Sequence, residues 1–394
     1  MAEQSQNTQR TVYMDYNATT PLRPEVKEEM IRDLELYANA SSLHEAGRKA
    51  RFRIEEARAS VAKLVSANDP DNIIFTSGGS ESNNTVFATM FHLGRKGKRR
   101  GIVTSQIEHP CVLNAAMWLK EEGFPVTFLG VDEYGKIRMD ELEKAVGPDT
   151  LLVSVMAANN EIGTIQDMAA IGKVAKAAGA WFHSDATQAA GKVPVNVDFW
   201  GVDYLTLSCH KLYGPKGIGG LYIRKKAPLE PLIRGGHQEH GHRAGTYNNQ
   251  GIYGFGLAAE LAFNELAEYN KKLGGLRNRL KDAILNTVPK AKINGHPEAV
   301  LPNTLNVSFP GAEGEAILLS LDLEGIRVST GSACASGSLD PSHVLLAIGL
   351  GPELAHGSIR FSLGRDTTTE DVDYVASKIA PVIARLRAMS TVNF

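Results

Sequence analysis

The chain has 394 residues, with 43% hydrophobic residues, 22% charged residues and a formal net charge of −2. These values are ordinary for a globular protein, and they argue against a general binder of nucleic acid or of anionic membranes. The N-terminal "MAEQSQNTQR" has no apolar signal core, and no apolar run approaches the ~18 residues of a membrane span. The three cysteines are too few and too scattered for a disulfide scaffold. We therefore predict a cytoplasmic protein.

Strand-like and helix-like segments alternate between about residues 70 and 225. The predicted strands cover 72–79, 101–105, 126–131, 150–159, 180–185, 202–208 and 217–224, and the clearest helices cover 80–94 and 168–179. Near-continuous apolar strands separated by helices are typical of a sheet that is covered on both faces. This pattern predicts an α/β fold with a mostly parallel sheet.

The pattern changes after about residue 260. A long charged helix over 259–288 leads into short strands at 304–309, 326–331 and 357–363. The chain ends in a helix whose apolar residues recur on one face: Val372, Val375, Ile379, Val382, Ile383 and Leu386. This region is predicted to be a smaller α+β domain.

Polar clusters follow four of the predicted strands. They are "TSGGSES" at 76–82, "MAANNEIG" at 156–163, "HSDATQ" at 183–188 and "SCHK" at 208–211. Each alone is more simply a helix cap or a solvated surface group. Ligands in open α/β sheets bind at the carboxyl ends of the strands, however, and a glycine-rich helix start can hold a phosphate. Four such clusters together indicate a ligand site.

Pyridoxal phosphate requires the groups that these clusters supply. It needs a lysine for its aldehyde, donors for its phosphate and an acid for its pyridine nitrogen, and an imidazole can lie against its ring. The sequence provides these groups in the same order as Lys211, the Gly79–Ser80 turn, Asp185 and His109.

The ordered motifs of the chain resemble one family. They run from "YMDYNATTP" (13–21) to "SIRFSLGR" (358–365), and they include "FTSGGSESNN", "EHPCV", "ANNEIGTIQD", "HSDATQAAGKVPV", "SCHKLYGPKGIGGLYIR", "GGHQEHGHRAGT" and "STGSACASGSLDPSHV". In this order they resemble the NifS/IscS-like cysteine desulfurases of the class-V aminotransferase family, over nearly the whole chain.

The resemblance implies a homodimeric, fold-type I enzyme that uses pyridoxal 5'-phosphate. Such an enzyme removes sulfur from L-cysteine and leaves L-alanine. The resemblance also implies three parts: an N-terminal arm over 1–20 that joins the small domain, a large cofactor-binding domain over 21–260, and a small C-terminal domain over 261–394 that carries the Cys334 loop. The expected acceptor of the sulfur is an iron–sulfur scaffold or a sulfur relay protein.

The family roles can be assigned residue by residue. Lys211 resembles the lysine that binds the cofactor covalently, Asp185 the partner of its ring nitrogen, and His109 the acid/base group against its ring. Arg360 resembles the clamp for the substrate carboxylate, with Asn160 beside it. The remaining expected cofactor contacts are Asn160, Gln188, Gly79, Ser80, Ser208, His210 and, from the neighbouring subunit, Thr246.

Cys334 is the predicted thiol that receives the sulfur as a persulfide. Its context "STGSACASGSLDPSH" has almost no apolar anchors, which favours a loop over a core position. Composition favours a packing role for Cys111 and Cys209, because thiols inside cells are mostly small buried hydrophobes.

Three departures from the family pattern leave alternatives open. The phosphate turn carries Ser80, and His240 and His242 stand where relatives often have arginine. No metal site is predicted for this histidine-rich segment. The chain ends at "MSTVNF", short of the tail with which IscS-like members dock their scaffold, which favours a NifS-like or specialised partner. A selenocysteine lyase or an aminotransferase would share Lys211 and the phosphate site, although an aminotransferase would not need Cys334.

Overall fold

The computed structural model describes residues 10–330 and 341–389. Its main sheet has the order β2-β8-β7-β6-β5-β3-β4, and β8 runs antiparallel to both of its neighbours while the other pairs are parallel. These strands are β2 (Ile73–Thr76), β3 (Gly101–Ser105), β4 (Val126–Leu129), β5 (Thr150–Ser154), β6 (Trp181–Asp185), β7 (Tyr204–Ser208) and β8 (Gly219–Ile223). The predicted mostly parallel sheet is confirmed.

Helices cover both faces of this sheet. Consecutive residues such as Ile73 and Ile74, or Leu152 and Val153, belong to different apolar clusters, because successive side chains of a strand point to opposite faces. The helices of this part are α1 (Pro24–Asp33), α2 (Glu45–Leu64), α3 (Gly79–Lys96), α4 (Pro110–Glu121), α5 (Met139–Ala145), α6 (Met168–Ala177) and α7 (Val197–Trp200).

The C-terminal part packs around a second core. The long helix α8 leads into it, and its antiparallel sheet has the order β12-β10-β9. A short strand near the N-terminus, β1 (Val12–Tyr13), pairs with β11 in this part. The elements are α8 (Asn249–Thr287), β9 (Lys292–Asn294), β10 (Thr304–Ser308), α9 (Gly314–Leu323), β11 (Ile326–Arg327), α10 (His343–Ala347), α11 (Pro352–His356), β12 (Ser358–Ser362) and α12 (Thr369–Met389).

The periodicity of α12 places its apolar residues as the sequence predicts. Val372, Val375, Ile379, Val382 and Ile383 are buried in the second core. The predicted domain boundary after residue 260 falls inside α8, and the division of the chain into domains stays a prediction. No helix in the described ranges is long and apolar enough to cross a membrane.

Candidate active site

A cavity of about 380 Å³ lies at the carboxyl ends of the parallel strands. This volume is within the range of small-molecule and cofactor sites. Its walls come from the segments that follow β2, β3, β5, β6 and β7, together with β12 and the segment after β1. The lining residues are Asn17, Ala18, Gly79, Ser80, His109, Cys111, Met156, Ala158, Asn160, Asp185, Thr187, Gln188, Ser208, His210, Lys211 and Arg360.

Lys211 stands at the end of a single 3-10 turn, Cys209–Lys211, that follows β7 directly. Its Nζ donates to the backbone carbonyl oxygens of Asn17 at 2.5 Å and of Ala18 at 2.6 Å. The N-terminal segment therefore holds the amine at the cavity wall.

Asp185 ends β6 and is 6% exposed. Its Oδ2 accepts a hydrogen bond from Nδ2 of Asn83 at 2.7 Å, and its Oδ1 accepts one from the backbone N–H of Thr187 at 2.9 Å. Two neutral donors orient this carboxylate without cancelling its charge. It can therefore pair with a cationic ring nitrogen in the cavity.

His109 caps the N-terminus of α4, where Pro110 follows it. Its Nδ1 accepts a hydrogen bond from the backbone N–H of Cys111 at 3.2 Å. The neutral imidazole therefore carries its proton on Nε2. Burial lowers the pKa of His109, the positive charge of Lys211 lowers it further, and Asp185 opposes the shift.

The N-terminus of α3 supplies backbone N–H groups for an anion. Gly78 precedes the helix with φ 157° and ψ 178°, a conformation open mainly to glycine. A Cβ atom on Gly79 would lie 3.2 Å from Oγ1 of Thr187, which is closer than ordinary packing allows. Ser80, Ser208 and His210 add polar groups at the same end of the cavity.

Arg360 reaches the cavity from β12 and is 2% exposed. Its Nη2 donates to Oδ1 of Asp15 at 2.7 Å, and its Nη1 donates to the carbonyl oxygen of Asn160 at 3.1 Å. Its buried Nε has no hydrogen-bond partner among the described residues. One N–H group of the guanidinium is therefore without a protein acceptor in this part of the chain.

The cavity brings together most of the residues that the sequence assigns to a site. Thr246 is exposed and does not line the cavity of the single chain. The expected role of Thr246 from a neighbouring subunit stays a prediction. Cys334 lies outside the described residues. The assigned residues that line the cavity are Gly79, Ser80, His109, Asn160, Asp185, Gln188, Ser208, His210, Lys211 and Arg360.

Sequence reasoning missed two functional positions. The backbone oxygen of Asn17 accepts a hydrogen bond from Nζ of Lys211. The motif "YMDYNATTP", which contains Asn17, was the available signal for this position. Cys111 packs against an apolar cluster, as composition predicts, and it also lines the cavity; Cys209 is fully buried. The position of Cys111, two residues after His109 at a helix start, was the available signal.

One residue of the histidine-rich segment, Glu239, has a structural role. The carboxylate of Glu239 accepts hydrogen bonds from Nη1 of Arg58 at 2.7 Å and from the backbone N–H of Phe75 at 3.1 Å. Both charged side chains are buried. Glu239 is therefore occupied as an internal ion-pair partner. Within 10–330 and 341–389, no group of three or more potential metal ligands occurs.

The residues of the cavity fit pyridoxal phosphate. An amine, a carboxylate, an imidazole and a helix N-terminus line one space, and the buried Oγ1 of Thr187 lacks a hydrogen-bond partner among the described residues. Lys211 would hold the aldehyde carbon, Asp185 the ring nitrogen, and the start of α3 the phosphate. When bound, this cofactor withdraws electrons from an attached amino acid. The fold and the site together define a fold-type I pyridoxal-phosphate enzyme.

Comparisons with known proteins identify the family. The model of the class-V aminotransferases matches residues 12–375. The chain is 50% identical over 383 residues to the cysteine desulfurase IscS of Dictyoglomus turgidum, covering 97% of this chain and 96% of that protein. The chain belongs to the class-V aminotransferase family and, within it, to the pyridoxal-phosphate-dependent cysteine desulfurases.

Solved structures agree with this assignment. A NifS-like protein superposes with a TM-score of 0.89 at 41% identity, covering 95% of this chain and 100% of that one. A second structure, SspA in complex with cysteine, superposes with a TM-score of 0.79 at 37% identity, covering 90% of this chain and 99% of that one.

Proposed function

We propose that this protein removes sulfur from L-cysteine, releases L-alanine and carries the sulfur as a persulfide on Cys334. The single observation that supports this most is the convergence of Lys211, Asp185, His109 and Arg360 on one cavity. The acceptor is then a protein that takes sulfane sulfur, such as an iron–sulfur scaffold or a sulfur relay protein, in the cytoplasm.

Substrate binding follows from Arg360 and its neighbours. A guanidinium binds a carboxylate best through two parallel hydrogen bonds. The carboxylate of L-cysteine would take the position opposite Arg360, beside Asn160, and would compete with Asp15 for the guanidinium. Low exposure of Arg360 strengthens this interaction, because water does not screen it.

Proton transfer is the task of Lys211 and His109. The amine of Lys211 lies at the cavity wall, next to where the α-carbon of a bound amino acid must lie, so it can accept the α-proton. His109, neutral through burial, can then exchange protons through Nε2.

Sulfur transfer requires a nucleophilic thiolate, and we assign that role to Cys334. The thiolate of Cys334 would attack the substrate sulfur, forming an S–S bond while the C–S bond breaks and its electron pair stays with the carbon. A proton on that carbon completes alanine. The thiolate, not the thiol, is the reactive form.

The homodimer is part of this proposal. Thr246 is exposed, on a segment that Arg58, Glu239 and Tyr247 anchor firmly. An exposed hydroxyl on this segment is suited to reach the phosphate site of a second subunit. Arg243 on the same segment donates to Glu81 at the start of α3, which ties it to the phosphate-binding helix of its own subunit.

One experiment separates this function from its alternatives. The purified protein should be yellow, and borohydride should bleach it and fix the cofactor on Lys211. Incubation with L-cysteine should release alanine and, with a thiol reductant, sulfide in equal amounts. Transfer of the amino group to a keto acid without sulfide would indicate an aminotransferase, and a strong preference for selenocysteine would indicate a selenocysteine lyase.

A further inference from the structure

Lys192 is a buried lysine beside the cavity that the proposed reaction does not use. It is 2% exposed and does not line the main cavity. Its Nζ donates to Oε1 of Gln188 at 2.6 Å and to Oδ1 of Asn17 at 3.4 Å. Among the described residues it forms no ion pair. A lysine held by two neutral carbonyl oxygens is costly to bury, so its position calls for a reason.

Two contacts, one with Lys192 and one with Asn17, fix the orientation of the Gln188 amide. A lysine nitrogen donates here, so the atom next to it must be the carbonyl oxygen Oε1. The other amide atom, Nε2, donates to the carbonyl oxygen of Asn17 at 3.0 Å. Both neighbours therefore require the same orientation. The second hydrogen of Nε2 stays available to the cavity, which Gln188 lines.

Asn17 connects the two lysines. Its backbone oxygen accepts from Nζ of Lys211, and its side-chain oxygen accepts from Nζ of Lys192. Burial lowers the pKa of Lys192 well below its usual value, and the positive charges of Lys211 and Arg360 lower it further.

From these contacts we propose that Lys192 is a positioning residue, which holds the Gln188 amide with its NH₂ group toward the cofactor and so sets the proton affinity of the Lys211 nitrogen. This inference rests on the proposed function. A hydrogen bond from Nε2 to an oxygen of the cofactor ring would withdraw negative charge from the neighbourhood of that nitrogen. The nitrogen would then release its proton at a lower pH.

Other charges near the two lysines are common to wild type and variants. Asp15 pairs with Arg360, and Glu265 pairs with Arg23 beside a small second cavity that both lysines line. Because these charges are the same in wild type and in the variants, a difference between the proteins at one buffer composition reports on Lys192. The surrounding titratable and charged groups are Asp15, Arg23, His109, Asp185, His210, Lys216, Glu265, Arg360, Arg365, Tyr213 and Tyr269.

The test uses the holoenzyme and the pH dependence of its visible absorption. Lys192→Met keeps the volume and removes the donor and the charge. We expect the pH midpoint of the bound cofactor's band to rise by about one unit. We also expect the dissociation constant of the cofactor, measured by dialysis or dilution, to be about fivefold greater than that of wild type. This change is the equivalent of one hydrogen bond of ~1 kcal/mol.

Lys136→Met is the matched control. Lys136 is also partly buried, and its Nζ donates to the carbonyl oxygen of Ile165 at 2.6 Å, away from the residues that line the main cavity. This variant should keep the wild-type midpoint. An unchanged midpoint in Lys192→Met, equal to that of Lys136→Met, overturns the inference.

Gln188→Met and the double variant test whether Lys192 acts through Gln188. In the Gln188→Met background, Lys192→Met should add little to the shift, and full additivity contradicts the inference. If Lys192→Met cannot be obtained as folded protein, Lys192→Gln replaces it in the test. Lys192→Gln keeps an NH₂ donor, so its absorption band should have the wild-type pH midpoint, and a displaced midpoint contradicts the inference. A wild-type protein that binds no cofactor contradicts the proposed function itself, an outcome distinct from all of these.

Discussion

The Sγ atom of Cys111 lies 3.0 Å from Nδ1 of His109, inside the wall of the active cavity. Nδ2 of Asn83 donates to the same sulfur at 3.1 Å and to Asp185 at 2.7 Å. Burial raises the pKa of the Cys111 thiol to about 12, and the negative charge of Asp185 adds to the shift. A thiol with so high a pKa stays protonated at neutral pH, so we predict that Cys111 acts as a hydrogen-bonding group and not as the nucleophile.

Substitutions at Cys111 should separate hydrogen bonding from nucleophilic chemistry. Cys111→Ser keeps a donor and an acceptor, so alanine formation should stay near the wild-type rate. Cys111→Ala removes both and should lower kcat/KM by about fivefold, the rate equivalent of one hydrogen bond of ~1 kcal/mol. Steady-state alanine assays check this. A complete loss of activity in Cys111→Ser would show that the sulfur itself reacts.

The architecture of the sheet could be predicted because its signal is local. Apolar strands such as Thr150–Ser154 and Tyr204–Ser208 are bounded by polar clusters, and each cluster marks a strand end. Strand lengths were less accurate: the segment 150–159 is mostly apolar, but only its first half is paired as a strand. Burial of the remaining residues around the cavity explains their apolar character.

The cavity residues from distant segments could not be predicted in the same way. Asn17 contacts Lys211 and follows β1, which pairs with the distant strand β11. Lys192 reads as an ordinary surface lysine until the packing around Gln188 is known. Such contacts depend on tertiary packing, which a local pattern does not contain.

Lys211→Ala should abolish the covalent attachment of the cofactor. Borohydride should no longer fix the cofactor to the protein, and alanine formation should fall by at least ~100-fold, the lower range for loss of a positioned base. Mass spectrometry of the reduced protein and an alanine assay check both points. Normal turnover, with the cofactor fixed elsewhere, would contradict the role of Lys211.

Mixed dimers test the role of Thr246. If Thr246 completes the phosphate site of the partner, Thr246→Ala should lose cofactor more readily than wild type. A hybrid of Thr246→Ala with Lys211→Ala then contains one site in which both residues are native. Activity should reappear when the two inactive or weakened proteins exchange subunits. Absence of recovery, with exchange verified by differently tagged subunits, argues against a shared site.

Glu108 should make stability depend on pH. It is fully buried, its Oε1 accepts from Ser105 and from the backbone N–H of Met156, and burial raises its pKa from 4.5 to about 8. The folded protein thus retains a proton that the unfolded chain releases, so this contribution to stability is present below pH 4.5 and is lost toward pH 8.

Glu108→Gln keeps the acceptor and removes this titration. Its urea midpoint should fall less between pH 5 and pH 8 than that of wild type, by an amount that corresponds to a few kcal/mol at most. Equal pH dependence of the two proteins would show that Glu108 ionises normally. Glu141→Gln is a suitable control, since Glu141 accepts from the backbone N–H of Gly130 near the surface.

Cys334→Ser should separate the first half of the reaction from sulfur transfer. Every cavity residue stays intact, so the protein should bind the cofactor and show the spectral change with L-cysteine. Alanine and sulfide release should fall to background, because a hydroxyl is a far weaker nucleophile toward sulfur than a thiolate. Loss of the spectral change would mean that Cys334 also supports substrate binding.

Persulfide mapping after a single turnover decides which cysteine carries the sulfur. The wild-type protein should show the extra sulfur on Cys334 alone. Cys209 is fully buried, and burial raises its pKa well above the usual value, so it should stay unmodified. Cys111 should also stay unmodified, because its thiol is protonated and held between His109 and Asn83. An extra sulfur on Cys111 with Cys334 unmodified would reassign the carrier to the cavity wall and leave the roles of Lys211 and Asp185 unchanged.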